Sequence, residues 1–289
     1  MPEPFRPCYR HPNQMAGVIC QRCDRPICTQ CMHQAAVGFH CPECAKAGRQ
    51  RVYTAQTLQR MNQPIAALVL IAINSAVWLA GFAIPGAQNA MQADYSLVVQ
   101  ALYHGHVIGV GEGQWWRIIT AGFLHLSWIH IISNMVALWI FGILCERLVG
   151  SWRFVVVYAV SLLAGSFGAL IADPHVSSAG ASGAIFGLYG LLFVGARARG
   201  LDLRGTGLTT LLVINLVITF TIPGISVGAH IGGLLAGFVA SWALLELPKL
   251  LPASSAKVRS GIAIGSTVVI GIGCFVGALL IASANTIPV

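Results

Sequence analysis

Apolar residues gather in seven long blocks separated by polar breaks, at about 64–84, 126–146, 153–172, 182–199, 206–222, 227–246 and 261–283. Each approaches the roughly 20 residues that a helix needs to cross a bilayer's hydrocarbon core, the fifth being the shortest. The stretch from Pro85 to Gly113 is too polar to span and too long for a tight connection, so the pattern predicts an outer loop with order of its own. It runs into Trp115-Trp116-Arg117, which by itself reads as an aromatic belt with a flanking cation. Ahead of the blocks lie a polar, cysteine-rich region at 1–48 and a basic linker at 49–63.

Composition turns these blocks into membrane spans. The chain is 56% hydrophobic and 9% charged, with mean hydropathy +0.75, which excludes a soluble enzyme and predicts an all-α polytopic membrane protein. The formal charge of +8 does not point to nucleic acid. The basic residues are spread through the N-terminal region and the loops, where orientation and anionic lipid account for them. Residues 1–60 lack the apolar core of a signal peptide, so the N-terminus is expected to be cytoplasmic. The inner loops then collect Arg147, Arg153, Arg197, Arg199, Arg204, Lys249, Lys257 and Arg259, the outer loops hold only Arg117, and the C-terminus is expected outside.

Seven of the nine cysteines lie in residues 1–48, as Cys8-x-x-His11, Cys20-x-x-Cys23, Cys28-x-x-Cys31 and Cys41-x-x-Cys44. Two ligands separated by two residues curl around one metal, and four such pairs supply eight ligands for two tetrahedral zinc ions. A disulfide framework would leave one of the seven unpaired in a reducing compartment. So short a region has too few large apolar side chains to fold alone, so metal should supply its stability. Cross-braced pairing would place Cys8, His11, Cys28 and Cys31 on one ion and Cys20, Cys23, Cys41 and Cys44 on the other; sequential pairing stays open. The pattern resembles B-box zinc fingers, which implies a module for a cytoplasmic protein partner. Cys145 and Cys274 read as buried small apolar residues.

Three blocks carry polar residues that lipid would not tolerate. The fourth opens as GASGAIFGLYG, with Ser182 between Gly180 and Gly183 at a helix start. The second holds His130 and Asn134, four apart and so on one helix face, with His125 just above them. In the sixth, His230 is enclosed by Gly228, Gly232 and Gly233, with Gly237 one turn on. Glycine at this spacing lets backbones approach closely, and Gly183, Gly187 and Gly190 offer the matching face. Ser182, His130, Asn134 and His230 all lie within about two turns, or roughly 12 Å, of the outer ends of helices running the same way. Serine needs a base to become a nucleophile, and imidazole is the usual one near neutral pH. An oxyanion needs donors, for which the Asn134 amide, the His130 ring and the Ser182 backbone N–H are suited. Asp94 and Asp173 sit in outer loops and Glu146 at the opposite face, so the expectation is a dyad.

On the GASG at 180–183, the AHIGG of the sixth block, the H-x-x-x-N of the second and the pair Trp116-Arg117, the chain resembles rhomboid intramembrane serine proteases over roughly residues 64–284. The resemblance implies a six-helix bundle with one further C-terminal span, Ser182 as nucleophile, His230 as base, and His130, Asn134 and Gly180 lining the oxyanion site. It also implies that Phe186 stacks on His230, at a position held by tyrosine in some members. It implies single-pass transmembrane proteins as substrates, entering past the fifth segment and the loop from Thr221 to Gly228 and cut near the outer membrane face. A zinc finger joined to a rhomboid is similar to a combination in actinobacterial proteins, which implies a bacterial plasma membrane. Two other readings compete: a silent adaptor that binds client helices without cutting them, and a transporter using His125, His130 and His230 as metal or proton ligands.

Overall fold

A computed structural model describes residues 6–48, 63–203, 206–252 and 255–287. The basic linker, apart from Gln63, lies outside the described residues. The chain forms two compact units, Met1–Met61 and Asn62–Val289.

Within the first unit, β1 (Val18–Ile19) pairs antiparallel with β2 (Pro26–Ile27), and β3 (His33–Gln34) with β4 (Phe39–His40), before helix α1 (Pro42–Ala47). Its buried core is Ile27 with Cys8, Cys20, Cys28, Cys31 and Cys41, and Tyr9, Val18, Met32 and Phe39 pack around the edge. One fully buried aliphatic side chain is far too little apolar surface to order some forty residues.

The second unit is helical. Helix α2 (Ile65–Ala83) leads into α3 (Ala87–Tyr95), the hairpin β5 (Ala101–Tyr103) and β6 (His106–Ile108), and the short helix α4 (Arg117–Thr120). There follow α5 (Trp128–Val149), α6 (Ser151–Ala172), α7 (Ser182–Ala198), α8 (Leu208–Thr221), α9 (Val227–Leu245), the single turn α10 (Leu247–Leu250) and α11 (Ala256–Ala284). Five of these, α2, α5, α6, α9 and α11, are long and apolar enough to cross a membrane.

All seven apolar blocks form helices, and two of these are shorter than the other five. Helix α7 has 17 residues and α8 has 14, about 26 and 21 Å at 1.5 Å per residue, against a hydrocarbon core of roughly 30 Å. For α7 the cause is its position. Thirteen of its 17 residues are buried among its neighbours, and backbone wrapped in protein need not reach the interface in helical form. Helix α8 is the opposite case, with only Leu208 and Thr219 buried.

Helices α6, α7 and α9 meet through backbone. A Cβ on Gly165 would lie 3.3 Å from the Gly183 Cα, one on Gly190 2.5 Å from the Phe238 nitrogen, and one on Gly232 2.5 Å from the Ala164 carbonyl oxygen. The seam between α7 and α9 matches the sequence expectation; the part α6 takes through Gly165 and Gly168 does not appear in it.

Two charged residues have roles that the sequence reading missed. Arg117 is not a solvent-facing belt cation but is 1% exposed. It donates from Nε to the Gln114 side chain at 2.7 Å, from Nη1 to the Ser96 carbonyl at 2.8 Å and from Nη2 to the Ala93 carbonyl at 2.6 Å. That fork ties the end of α3 to α4 and gives the stretch from Pro85 to Gly113 its order. Glu146, also buried, accepts from the backbone of Ala66 and Ala67 at 3.0 and 2.8 Å and from the Ser151 hydroxyl at 2.6 Å. Its charge thus satisfies the open N–H groups at the start of α2.

Candidate active site

Ser182 is the first residue of α7, reached through Gly180, whose φ of +131° excludes side chains. A Cβ at Gly180 would lie 2.6 Å from His130 Nε2. Glycine there lets the imidazole lie against the chain just before Ser182. The Gly180 N–H donates to the Ala121 carbonyl at 2.8 Å, fixing this approach.

His230 lies in the first turn of α9, whose start is set by Ser226, its hydroxyl accepting from the Ala229 N–H at 3.2 Å. The structure brings its Nε2 to 2.8 Å from Ser182 Oγ. Phe186, one turn beyond Ser182, stacks on the His230 ring with centroids 4.1 Å apart and planes at 17°. The other ring nitrogen, Nδ1, lies 2.7 Å from Thr219 Oγ1 on α8. Both nitrogens are engaged by neighbouring side chains.

His130 and Asn134 come from α5, whose N-terminus is capped by Ser127. The Leu126 N–H approaches His130 Nδ1 at 3.4 Å. With Nδ1 accepting, the ring proton sits on Nε2, beside Gly180 and facing the region of Ser182. Asn134 is 5% exposed and spends one amide hydrogen on the His130 carbonyl at 3.0 Å, keeping the other. His125 is buried edge-on against His130 with centroids 5.0 Å apart and stands behind the site. Behind Ser182, a small cavity of about 20 Å³ is lined by Gly122, Gly165, Ser166, Gly180 and Gly183 among others; that is room for one water.

Thr219 is the residue that the sequence reading missed. A threonine in an apolar helix that bonds its own i−4 carbonyl is the ordinary way to satisfy a hydroxyl in lipid, so nothing local marked it.

The ligand atoms of the first unit converge in two sets: Cys8, His11, Cys28 and Cys31, and Cys20, Cys23, Cys41 and Cys44, all within 4.8 Å of one another in each set. This is the cross-braced grouping; the sequential one is not formed. All seven thiols are free. The sulfurs of Cys23 and Cys41 are 3.8 Å apart, and His11 Nδ1 is 3.4 Å from the sulfurs of both Cys28 and Cys31. A tetrahedral zinc with bonds of about 2.3 Å to sulfur and 2.0–2.1 Å to nitrogen has edges of about 3.8 and 3.6 Å, so the residues fit. Burial pushes the Cys8 and Cys20 thiols up, but backbone N–H donors outweigh it and hold both down to about 6. These donors include Arg10, Cys28 and His11 for Cys8, and Cys41, Arg22 and Cys23 for Cys20. That favours at Cys8 and Cys20 the thiolate that a metal requires, whereas burial and neighbouring thiols push Cys31 up to about 11 and neighbouring thiols and burial push Cys44 up to about 12, so metal binding must release their protons.

A polytopic helical bundle with a serine, a histidine and facing donors at the start of a buried helix defines the class: a membrane protein built around a candidate hydrolytic site. Residues 112–247 match the model of the Rhomboid domain. The chain is 32% identical over 199 residues to the rhomboid YdcA of Bacillus subtilis (strain 168), covering 66% of this chain and 93% of YdcA. It is 42% identical over 143 residues to the rhomboid protease GluP of the same organism, covering 48% of this chain and 28% of GluP. It is 35% identical over 147 residues to RHOMBOID-like protein 5 of Arabidopsis thaliana, covering 48% of this chain and 47% of that one. The chain belongs to the rhomboid family. It spans less than half the length of GluP and of the plant relative.

Proposed function

We propose that the chain is an intramembrane serine endopeptidase that cuts single-pass transmembrane proteins near the outer membrane face, with Ser182 as nucleophile and His230 as general base. The observation that carries this is the 2.8 Å contact between Ser182 Oγ and His230 Nε2 at the start of a buried helix. In the reaction, His230 Nε2 takes the Ser182 proton as Oγ adds to the scissile carbonyl carbon. The carbonyl oxygen becomes an oxyanion, accepting from His130 Nε2–H, the free hydrogen of Asn134 Nδ2 and the Ser182 backbone N–H. His230 then gives its proton to the leaving amine nitrogen, the C–N bond breaks, and an acyl ester on Ser182 remains. Water, deprotonated by the same nitrogen, adds to that ester, and Ser182 leaves with its proton restored.

Helix α8 and the residues between it and α9 form the substrate entrance. Support comes from the sparse burial of α8 and from Gly224, which at φ +85° makes the sharp turn between them. The N-terminal module holds two zinc ions, one per converged ligand set, and serves a cytoplasmic protein partner. The protein sits in a plasma membrane with its N-terminus inside and its C-terminus outside, in contact with lipid over the exposed apolar faces; no nucleic acid takes part. The basic inner loops support that orientation.

The test is cleavage of a single-pass transmembrane substrate in liposomes. Wild type should give two fragments, and Ser182→Ala and His230→Ala should each lose at least about 10³-fold in rate. Turnover unchanged in Ser182→Ala would remove the assigned nucleophile, whereas binding of the substrate without cleavage by wild type would leave the adaptor reading.

A further inference from the structure

The second nitrogen of His230 carries a consequence for the first. Thr219 is 2% exposed, and its Oγ1 lies 2.7 Å from His230 Nδ1 and also 2.7 Å from the Asn215 carbonyl oxygen one turn back. A hydroxyl has one proton and two lone pairs, and a carbonyl oxygen can only accept. With the proton directed to Asn215, Oγ1 meets Nδ1 with a lone pair, so Nδ1 carries the ring hydrogen. The neutral ring then offers the bare lone pair of Nε2 to the Ser182 hydroxyl at 2.8 Å. The opposite tautomer would set an N–H against that hydroxyl and leave no base.

We propose that Thr219 is the positioning residue of the Ser182–His230 pair, its hydroxyl accepting from His230 Nδ1–H and so holding the ring in the base-competent tautomer. This rests on the reading of Ser182 as nucleophile and His230 as base. The groups facing the ring are Ser182 and Phe186 from α7 and Thr219 from α8. A neutral acceptor does here what a carboxylate would do at the cost of burying a charge in a low-dielectric site. The acceptor rides on α8, which is otherwise pinned at this level by Asn215 Nδ2 donating to the Tyr189 hydroxyl at 3.1 Å. Seating of α8 and readiness of the base are therefore one event: a displaced α8 leaves the imidazole without its orienting partner.

The test uses the full chain in detergent micelles or liposomes with Thr219→Val, which keeps shape and removes the hydroxyl, and Thr219→Ser, which keeps the hydroxyl. Val should lower kcat on the order of tenfold with KM unchanged, and Ser should restore kcat to within about twofold of wild type. Nitrogen-15 spectra of histidine-labelled protein, with His230→Asn to assign the signal, should show the Nδ1–H tautomer in wild type and the Ser variant. In the Val variant they should show a mixture. Wild-type kcat in a folded Val variant, or the Nε2–H tautomer in wild type, overturns the proposal. If Val does not fold, the wild-type tautomer and the Ser kcat still decide it. The spectra need no turnover, so they stand even if Ser182→Ala proves active and the protease reading fails.

Discussion

Gly180 shows how closely single residues constrain this site. Its φ of +131° is closed to other residues, and a Cβ there would press on His130 Nε2 at 2.6 Å. Gly180→Ala should therefore displace the His130 ring and lower cleavage by about tenfold or more, while the thermal midpoint of the bundle moves little. Phe186 makes a different demand, because its flat face holds the His230 ring at 4.1 Å. Phe186→Tyr keeps that face and should retain most of the cleavage rate; Phe186→Ala frees the ring and should cost about tenfold. Ser182, Gly180, His130, Asn134 and His230 were legible in the sequence because their signals are local: glycines beside a polar residue, or two polar residues four apart in an apolar run. Thr219 was not, because its meaning depends on a ring contributed by another helix 11 residues further along the chain.

At the scale of elements, the site exists because α6, α7 and α9 pack backbone to backbone. Between helices in lipid no hydrophobic force acts, so close approach supplies the attraction through dispersion and weak polar contacts. An added methyl at the seam has nowhere to go: a Cβ at Gly190 would lie 2.5 Å from the Phe238 backbone nitrogen, which cannot step aside. Gly190→Ala should cost about 1–3 kcal/mol and show as a lower thermal midpoint in detergent, with cleavage falling in parallel as Ser182 and His230 separate. The α7 and α9 faces could be matched in the sequence because both carry glycine at helical spacing. Gly165 and Gly168, three apart beside Ser166, gave no such cue, because their block contributes no candidate catalytic residue to match them to. The stretch from Pro85 to Gly113 shows the same limit. Its order was expected from length and polarity, yet the agent is Arg117, whose three acceptors lie 3 to 24 residues away. Arg117→Lys keeps the charge and loses the fork, so it should loosen α3, seen as faster proteolysis of the loop.

For the molecule as a whole, the hydrophobic pattern was enough to place every apolar helix, and the blocks 182–199 and 206–222 had nearly the lengths of α7 and α8. What the pattern did not show is that α7 is central, because burial depends on which neighbours wrap the helix, and only the packed bundle reveals those. In the N-terminal unit the ligand pairs were plain from spacing, and their grouping into two sets became visible only when the hairpins brought distant pairs together. With Ile27 the one fully buried aliphatic residue among its described residues, that unit should depend on metal. Metal analysis is expected to give about two zinc ions per chain. Chelation should then expose residues 6–48 to protease while substrate cleavage by the bundle continues, as it should after deletion of residues 1–48. Loss of cleavage on chelation would instead make the module part of the catalytic machinery.

The claim on which the rest depends is that the Ser182 hydroxyl is activated by His230. Reaction with a fluorophosphonate probe reads this without any choice of substrate, because Oγ displaces fluoride only when its proton is taken. Mass spectrometry of the labelled wild-type chain should locate a single phosphonyl group on Ser182 and find almost none in His230→Ala. An adduct formed equally well without His230, or none on Ser182 in protein that still cleaves, would contradict it.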